Sequence, residues 1–435
     1  MSDLSIYITT FNTARTLPSL THLASALFSD PPTASPIPPD LIVLCLQELA
    51  PLGYSFLGAS YLTPYFSRLS NVVQHAVSAR FEDGVEYETL LAQNVGMTGL
   101  MVFVRKEVRE RVKWIETAGV GVGVWEMGNK GAVGARLGVV GEDEEVVPVT
   151  FVSAHLAAGE GEVERRNEDW KSICESLVFT RETSSPSQNT SEEESAPLLG
   201  EASSPSSKDP TTSSSTISSL FFPPSHIFLA GDLNYRTSST SPQPSDHQIW
   251  PSPSSGTHTF QQLLASDQLT RERLAHRTLH NLTESLVTFR PTYKYSASAQ
   301  AHAAAQELGK GVRPEEPGSD AWAKHRVPSW CDRILYLPSS NPRIGSYTAL
   351  PVQPSSDHRP VALAFSIELE PAEGVKVPFE IRADWKERRA VARRLEVIVG
   401  LAAYLGWTWE GEALLLATVV GIVGVGLVVR ALTGS

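Results

Sequence analysis

Eight short runs of β-branched and apolar residues recur along this chain, and they constrain its fold more than any other feature. They are SIYITTF (5–11), LIVLCLQE (41–48), GLMVFVR (99–105), GAVGARLGV (131–139), VVPVTFVSAHL (146–156), HIFLAGDLN (226–234), DRILYL (332–337) and PVALAFSIEL (360–369). Runs of this length and composition predict strands. Helical patterns over 162–179 and 260–280 lie between some of them. Strands and helices that interleave without strict βαβ alternation predict a mixed α+β sandwich.

Two stretches interrupt this pattern. Residues 181–220 include 14 serines in 40 positions and almost nothing that could build a core, so they read as a disordered insertion rather than a linker. Residues 237–257 have the same character. The C-terminal end differs. Residues 413–429 (ALLLATVVGIVGVGLVV) carry no charge, and 17 residues is the lower limit for a membrane span. At about 1.5 Å per residue such a helix reaches roughly 25 Å, which suits a thin bilayer. Six basic residues in 382–394 predict that the flanking side faces the cytosol. Between them, 397–409 is apolar but too short to span, and it reads as an amphipathic surface stretch, with a hairpin of two short segments as the alternative. The expected organisation is a folded domain over 1–370, a basic juxtamembrane segment over 371–412 and a tail anchor over 413–429.

Polar residues cluster where the strands stop. Glu48, His155, Asp232 and Asn234 end three of the runs, and Asp357 and His358 precede the last one. Carboxylates, histidines and asparagines without thiolate spacing select a hard cation such as Mg²⁺ over zinc. A water oriented by a carboxylate, with histidine and asparagine beside the phosphoryl oxygens, points to phosphoester hydrolysis without a covalent enzyme intermediate. The formal charge of −12 argues against a sequence-blind nucleic-acid binder. Three cysteines, Cys45, Cys174 and Cys331, exclude a disulfide scaffold and fit a reducing compartment.

Asn12, Gln47-Glu48, SAHL (153–156), GDLN (231–234) and SDH (356–358) together resemble the Mg²⁺-dependent endonuclease/exonuclease/phosphatase superfamily. FLAGDLNYR (228–236) and RVPSWCDRIL (326–335) narrow the resemblance to the inositol polyphosphate 5-phosphatases. The first string departs at Leu229, where that family usually has Trp, and the departure is expected to alter packing rather than chemistry. NKGAVGARL (129–137) and FRPTYKY (289–295) are similar to the same family. The likeness spans about residues 5–368 and is nearest to fungal enzymes made of a catalytic domain and an endoplasmic-reticulum tail anchor.

The resemblance implies a DNase I-like four-layer α/β sandwich of two mixed sheets flanked by helices. It implies that Glu48 is the principal Mg²⁺ ligand, with Asn12 in the metal-side network. Asp232 would orient and activate the attacking water, and Asn234, His155 and His358 would contact the scissile phosphate. Asp332 would hold His358, with Asp357 nearby; an ion pair of Asp332 with Arg333 is the alternative. Lys294, Lys324 and Arg326 would clamp a vicinal 4-phosphate, with Tyr293 as a hydroxyl donor and Lys130 on the substrate phosphates. Arg236 and Arg333 are expected to brace the site. The implied substrate is phosphatidylinositol 4,5-bisphosphate on a cytosolic membrane face, most simply that of the endoplasmic reticulum. The alternatives are soluble inositol 1,4,5-trisphosphate, another superfamily phosphodiester, or an inactive phosphoinositide-binding scaffold.

Overall fold

The computed structural model describes residues 3–29, 37–81, 84–141, 144–181, 218–251, 257–306, 316–317 and 321–433. Most of the Ser-rich stretch 181–220 lies outside the described residues. Of the second interruption, 237–251 is described and turns once through a 3₁₀ helix at Asp246–Gln248.

Two six-stranded sheets form the centre. The first contains β1 (Asp3–Asn12), β2 (Leu41–Gln47), β3 (Tyr87–Val95), β4 (Thr98–Arg105), β11 (Arg343–Ala349) and β12 (Val361–Glu368), in the order β11-β12-β1-β2-β4-β3. The second contains β5 (Val112–Gly121), β6 (Gly131–Val140), β7 (Val146–His155), β8 (Thr180–Arg181), β9 (His226–Asp232) and β10 (Asp332–Tyr336), in the order β10-β9-β7-β6-β5-β8. β1 and β2 run parallel, as do β7 and β9, while the other pairs are antiparallel. Both sheets are therefore mixed.

The near-continuous apolar runs follow from burial on both faces. Along β1 and β2, Ile6, Ile8, Val43 and Cys45 enter the core between the sheets, while Tyr7, Phe11, Ile42 and Leu44 face outward. That outer face is covered by α1 (Leu20–Ala26) and α3 (Thr63–Arg80), through Leu23, Leu69, Val72 and Val73. In the second sheet, Phe151, Phe228 and Ile334 point inward, and Val152, Ile227 and Leu229 point out against Trp170 and Ile173 of α4 (Val163–Ser176). Four layers result. Leu229 is fully buried on the helix-facing side of β9, away from the inter-sheet face.

Besides the two-residue β8, three strands, β3, β5 and β11, have no counterpart among the expected runs. β3 and β11 are sheet edges and β5 is covered only by the two-residue β8, so all three keep half-exposed residues that blur the alternation. The expected 260–280 helix is instead two, α5 (Thr257–Leu264) and α6 (Gln268–Leu274). The break falls where the Asp267 carboxylate accepts the Thr270 N–H at 2.9 Å and caps α6.

The remaining helices are α2 (Leu52–Leu57), α7 (Ala297–Ala305), α8 (Trp385–Trp407) and α9 (Trp409–Thr433). The basic and apolar halves of the juxtamembrane segment form the single helix α8, broken from α9 at Thr408. Rather than lying free, α8 packs on α2 and buries Ala392, Glu396, Gly400 and Ala403. Residues 52–58 lie beneath it. α9 is 25 residues long with a mean hydropathy of 2.4 over an 18-residue window, none of it buried against the protein. It is long and apolar enough to cross a membrane.

Candidate active site

The site is the polar end of the inter-sheet core. Side chains alternate along a strand, so each inward column that is apolar mid-strand stays inward to its last residue. Ile8 continues through Thr10 to Asn12; Cys45 to Gln47; Phe151 through Ser153 to His155; and Ala230 to Asp232. β10 and β12 run the other way, so Asp332 and His358 reach the same edge from strand beginnings. Register then fixes the neighbours: Asp232 stands beside His155 of β7 on one side and Asp332 of β10 on the other.

Asp232 is the hub. Its Oδ2 accepts from Asn12 Nδ2 at 2.9 Å and lies 3.4 Å from His155 Nε2 and 3.8 Å from His358 Nε2. Its Oδ1 accepts the Asn234 N–H at 3.2 Å. The far nitrogen of His358, Nδ1, lies 2.8 Å from Asp332 Oδ2, which also accepts the Thr292 hydroxyl at 2.7 Å. Ser356 ties the end of β1 to the segment before β12, donating to the Asn12 carbonyl at 2.6 Å and accepting the His358 N–H at 3.0 Å. The Lys130 ammonium contacts His155 Nε2.

Burial and charge set the protonation states. Burial alone would lower the His358 value, but the Asp332 and Asp232 carboxylates outweigh it and raise it to about 9. His358 is therefore an imidazolium at neutral pH. Burial raises Asp332 to about 6, against the pull of His358. For Asp232 burial is outweighed by His358, His155 and Lys130, which hold its carboxyl far below the usual range. Burial and the Lys130 charge lower His155, leaving it neutral. Burial also lowers Lys130, opposed by Asp232 and Glu48.

The ligand atoms of Asp232, Asp332 and His358 lie within 4.8 Å of one another, a grouping that can hold a divalent metal ion once His358 has given up its proton. Asp332 Oδ1 is buried with no partner, and the carboxylate oxygens are hard donors, which fits an oxygen-preferring ion. Glu48, the ligand implied by the resemblance, is not in that group. It follows β2 directly, at φ +47°, and pairs with Arg15 at 2.9 Å, with about a quarter of its side chain exposed. Asn12 turns its amide to Asp232, and its oxygen accepts the Ala14 N–H at 3.0 Å.

The remaining expected residues divide into two sets. Asn234 sits in the site at φ +57°, its Nδ2 donating to the Leu156 carbonyl at 3.1 Å. The Tyr293 ring lies 4.5 Å from that of His358 and beneath the Arg236 guanidinium at 4.3 Å. Asp357 points to Lys294 at 2.7 Å. Arg326 is 3.6 Å from the buried Glu160, and Lys324 is exposed. The Asp332–Arg333 pair is absent among the described ion pairs, because Arg333 is taken by Asp267 at 3.0 Å and Glu284 at 2.6 Å. Buried atoms with no partner surround the site: Arg236 Nη1, His155 Nδ1 and Asp332 Oδ1. Such atoms are what a bound anion or ion completes. Thr292, Ser356 and Arg15 were given no role from the sequence. Thr292 and Ser356 stood inside the quoted strings FRPTYKY and SDH, and a hydroxyl beside a site carboxylate or histidine was the available clue.

The chain matches Endonuclease/Exonuclease/phosphatase family 2 over residues 9–364. It belongs to that family. Similar curated proteins include polyphosphatidylinositol and inositol polyphosphate phosphatases. Polyphosphatidylinositol phosphatase INP53 of Saccharomyces cerevisiae is 29% identical over 91% of this chain and 28% of its own length. Type I inositol polyphosphate 5-phosphatase 13 of Arabidopsis thaliana is 28% identical over 75% of this chain and 28% of its own length. The chain thus spans less than a third of the length of these relatives. The crystal structure of the inositol polyphosphate 5-phosphatase domain of SPsynaptojanin, in complex with inositol (1,4)-bisphosphate and calcium ion, superposes with a TM-score of 0.59. It is 22% identical, over 91% of this chain and 90% of that one, a likeness of fold.

Proposed function

We propose that this chain hydrolyses the 5-phosphate of phosphatidylinositol 4,5-bisphosphate, with Mg²⁺, giving phosphatidylinositol 4-phosphate. The observation that carries the hydrolytic reading is the Asp332–His358–Asp232 line, in which an imidazolium stands between two carboxylates and one of them is held ionised. Asp232 orients the attacking water by accepting its hydrogen bond. The water oxygen bonds phosphorus as the bond from phosphorus to the 5-oxygen of the inositol breaks; one proton of the water ends on the departing inositol oxygen and the other stays on the phosphate, so the products are the inositol hydroxyl and hydrogen phosphate. His358, aligned by Asp332, donates to the charge developing on the phosphoryl oxygens. Asn234, neutral His155 and Lys130 add donors around the same phosphate. Glu48, with Asn12 in the metal-side network, would hold Mg²⁺, which when bound neutralises phosphoryl charge.

Substrate choice rests on Tyr293, Lys294, Lys324 and Arg326 as a clamp for the vicinal 4-phosphate. Lys294 supports this reading: its value is raised despite burial, by its bond to Asp357, so it stays charged. The lipid reading is supported by α9, an apolar helix that buries none of its window. We place the protein on the cytosolic face of the endoplasmic reticulum, from the short span and the basic residues of 382–394.

The test is Mg²⁺-dependent phosphate release by the full chain. Vesicles of phosphatidylinositol 4,5-bisphosphate and free inositol 1,4,5-trisphosphate are the two substrates, and Asp232→Asn is the control. Release from vesicles that the control loses supports the proposal. Release from the soluble headgroup alone replaces it with a soluble 5-phosphatase. No metal-dependent release from either sinks it.

A further inference from the structure

The helix next to the membrane span is built into the site's wall. Glu396 of α8 is fully buried, some 268 residues along the chain from the turn it contacts. A buried carboxylate is tolerated only when its charge and lone pairs are satisfied. Here Oε1 accepts the Gly128 N–H at 2.9 Å and meets Arg389 at 3.0 Å, while Oε2 meets Arg393 at 3.2 Å. Gly128 belongs to the turn between β5 and β6 that ends in Lys130.

The turn is gripped a second time. The Arg388 guanidinium donates to both carboxylate oxygens of Glu126, at 2.9 and 2.8 Å through Nε. Trp125 and Glu126 hold φ of +53° and +58°, backbone that non-glycine residues keep only when their surroundings enforce it. On its other side the turn rests on β3 and β4: a Cβ on Gly128 would lie 2.7 Å from Gly96 N, and the Gly128 carbonyl accepts the Met97 N–H at 2.8 Å. Two residues on, the Lys130 carbonyl accepts the Val122 N–H at 2.8 Å, and the ammonium reaches His155.

α8 is itself seated firmly. A Cβ on Gly53 would lie 2.9 Å from Tyr404 N, and one on Gly400 would lie 2.8 Å from Phe56 Cβ, so α2 and α8 approach to backbone contact through two glycines. Arg393 donates to the Phe56 carbonyl at 2.5 Å and the Leu57 carbonyl at 3.2 Å, closing the end of α2.

We infer that α8 is a working part of the catalytic unit and that Glu396 is a positioning residue: through Gly128 it fixes the turn that delivers Lys130 to the substrate phosphate. The inference rests on the functional reading of Lys130 given above. It makes α8, between domain and membrane, a strut that joins the start of the span to the Lys130 turn.

Two readouts on the full chain in detergent separate this inference from the reading beneath it. The first is amide hydrogen exchange of residues 121–130 in wild type and Glu396→Ala, with Arg388→Ala as a milder variant that leaves the buried carboxylate in place. Faster exchange confined to that turn in both variants is expected. Unchanged exchange in both overturns the inference, whatever the activity. The second is a double-mutant cycle on kcat/KM for soluble inositol 1,4,5-trisphosphate. Glu396→Ala is expected to lose about 10-fold in the wild-type background and less than about 2-fold in the Lys130→Ala background. Equal losses in both backgrounds, with faster exchange, overturn the positioning role. A wild type that releases no phosphate while the turn exchanges faster in the variants refutes the functional reading and leaves the coupling of α8 to the turn supported.

Discussion

At the scale of residues, the site works by placing opposite charges where water cannot screen them. His358 keeps its proton because two carboxylates face its two nitrogens, and Asp232 keeps its charge because His358, His155 and Lys130 surround it. Asp232→Asn leaves a side chain of the same shape but a neutral one, so phosphate release should fall by about 10³-fold, measured at saturating substrate. The pH dependence follows from the same pair. Asp332 gains a proton below about 6, and His358 loses one above about 9. The Asp332–His358 pair is therefore intact between those limits, and kcat/KM should be bell-shaped with limbs near them, each belonging to the cluster rather than to one residue. Stability carries its own sign. The folded value of His358 lies above its ordinary 6.5, so the stability its proton contributes is lost as pH rises from 6.5 through about 9. His358→Gln should flatten the decline in melting temperature over that window.

At the scale of elements, strand register and helix caps decide what reaches the site. Gly231, one residue before Asp232, is paired with Ala154 across the parallel β7–β9 contact. A Cβ there would stand 1.9 Å from the Ala154 carbonyl oxygen, which is backbone and cannot move aside cheaply. Gly231→Ala should therefore destabilise by about 3 kcal/mol or more in urea unfolding and also shift Asp232. α6 is fastened to α4 by Glu272, which is nearly buried, binds Arg277 at 2.6 Å and accepts from Asn167 at 3.0 Å. The Arg277 hydrogen bond, acting against burial, holds the Glu272 carboxyl down at about 2. That contribution is present above the ordinary 4.5 and is lost as pH falls through 2, so Glu272→Gln should show a shallower acid limb in its stability profile.

At the scale of the whole molecule, two sheets supply a rigid edge and one apolar helix supplies an address. α9 buries Gly411 in its first turn but none of its apolar window, so removal of that window uncovers no core. A chain ending at Glu412 should melt within a few degrees of the full chain and keep its activity on a soluble substrate. It should no longer sediment with vesicles. α8 is different in kind, since its removal would expose Phe56 and leave Gly128 N–H without its acceptor.

The local chemistry was legible in the sequence because it is written at strand ends: Asp232, His155 and His358 follow or precede apolar runs, and two long strings around them match one family. The doubly buried strands were legible for the same reason, while β3, β5 and β11 were not, because half-exposed residues dilute their period. What local sequence does not contain is who meets whom. Only the register of β7, β9 and β10 sets His155, Asp232 and Asp332 side by side. Only packing sends Asp357 to Lys294, Glu48 to Arg15 and Arg333 to Glu284. The helix α8 is the plainest case. Six basic residues beside an apolar stretch read locally as a membrane flank, because charge and hydropathy are properties of the segment. That Glu396 in its midst is buried against Gly128 depends on atoms 268 residues away, and tertiary structure alone brings them together.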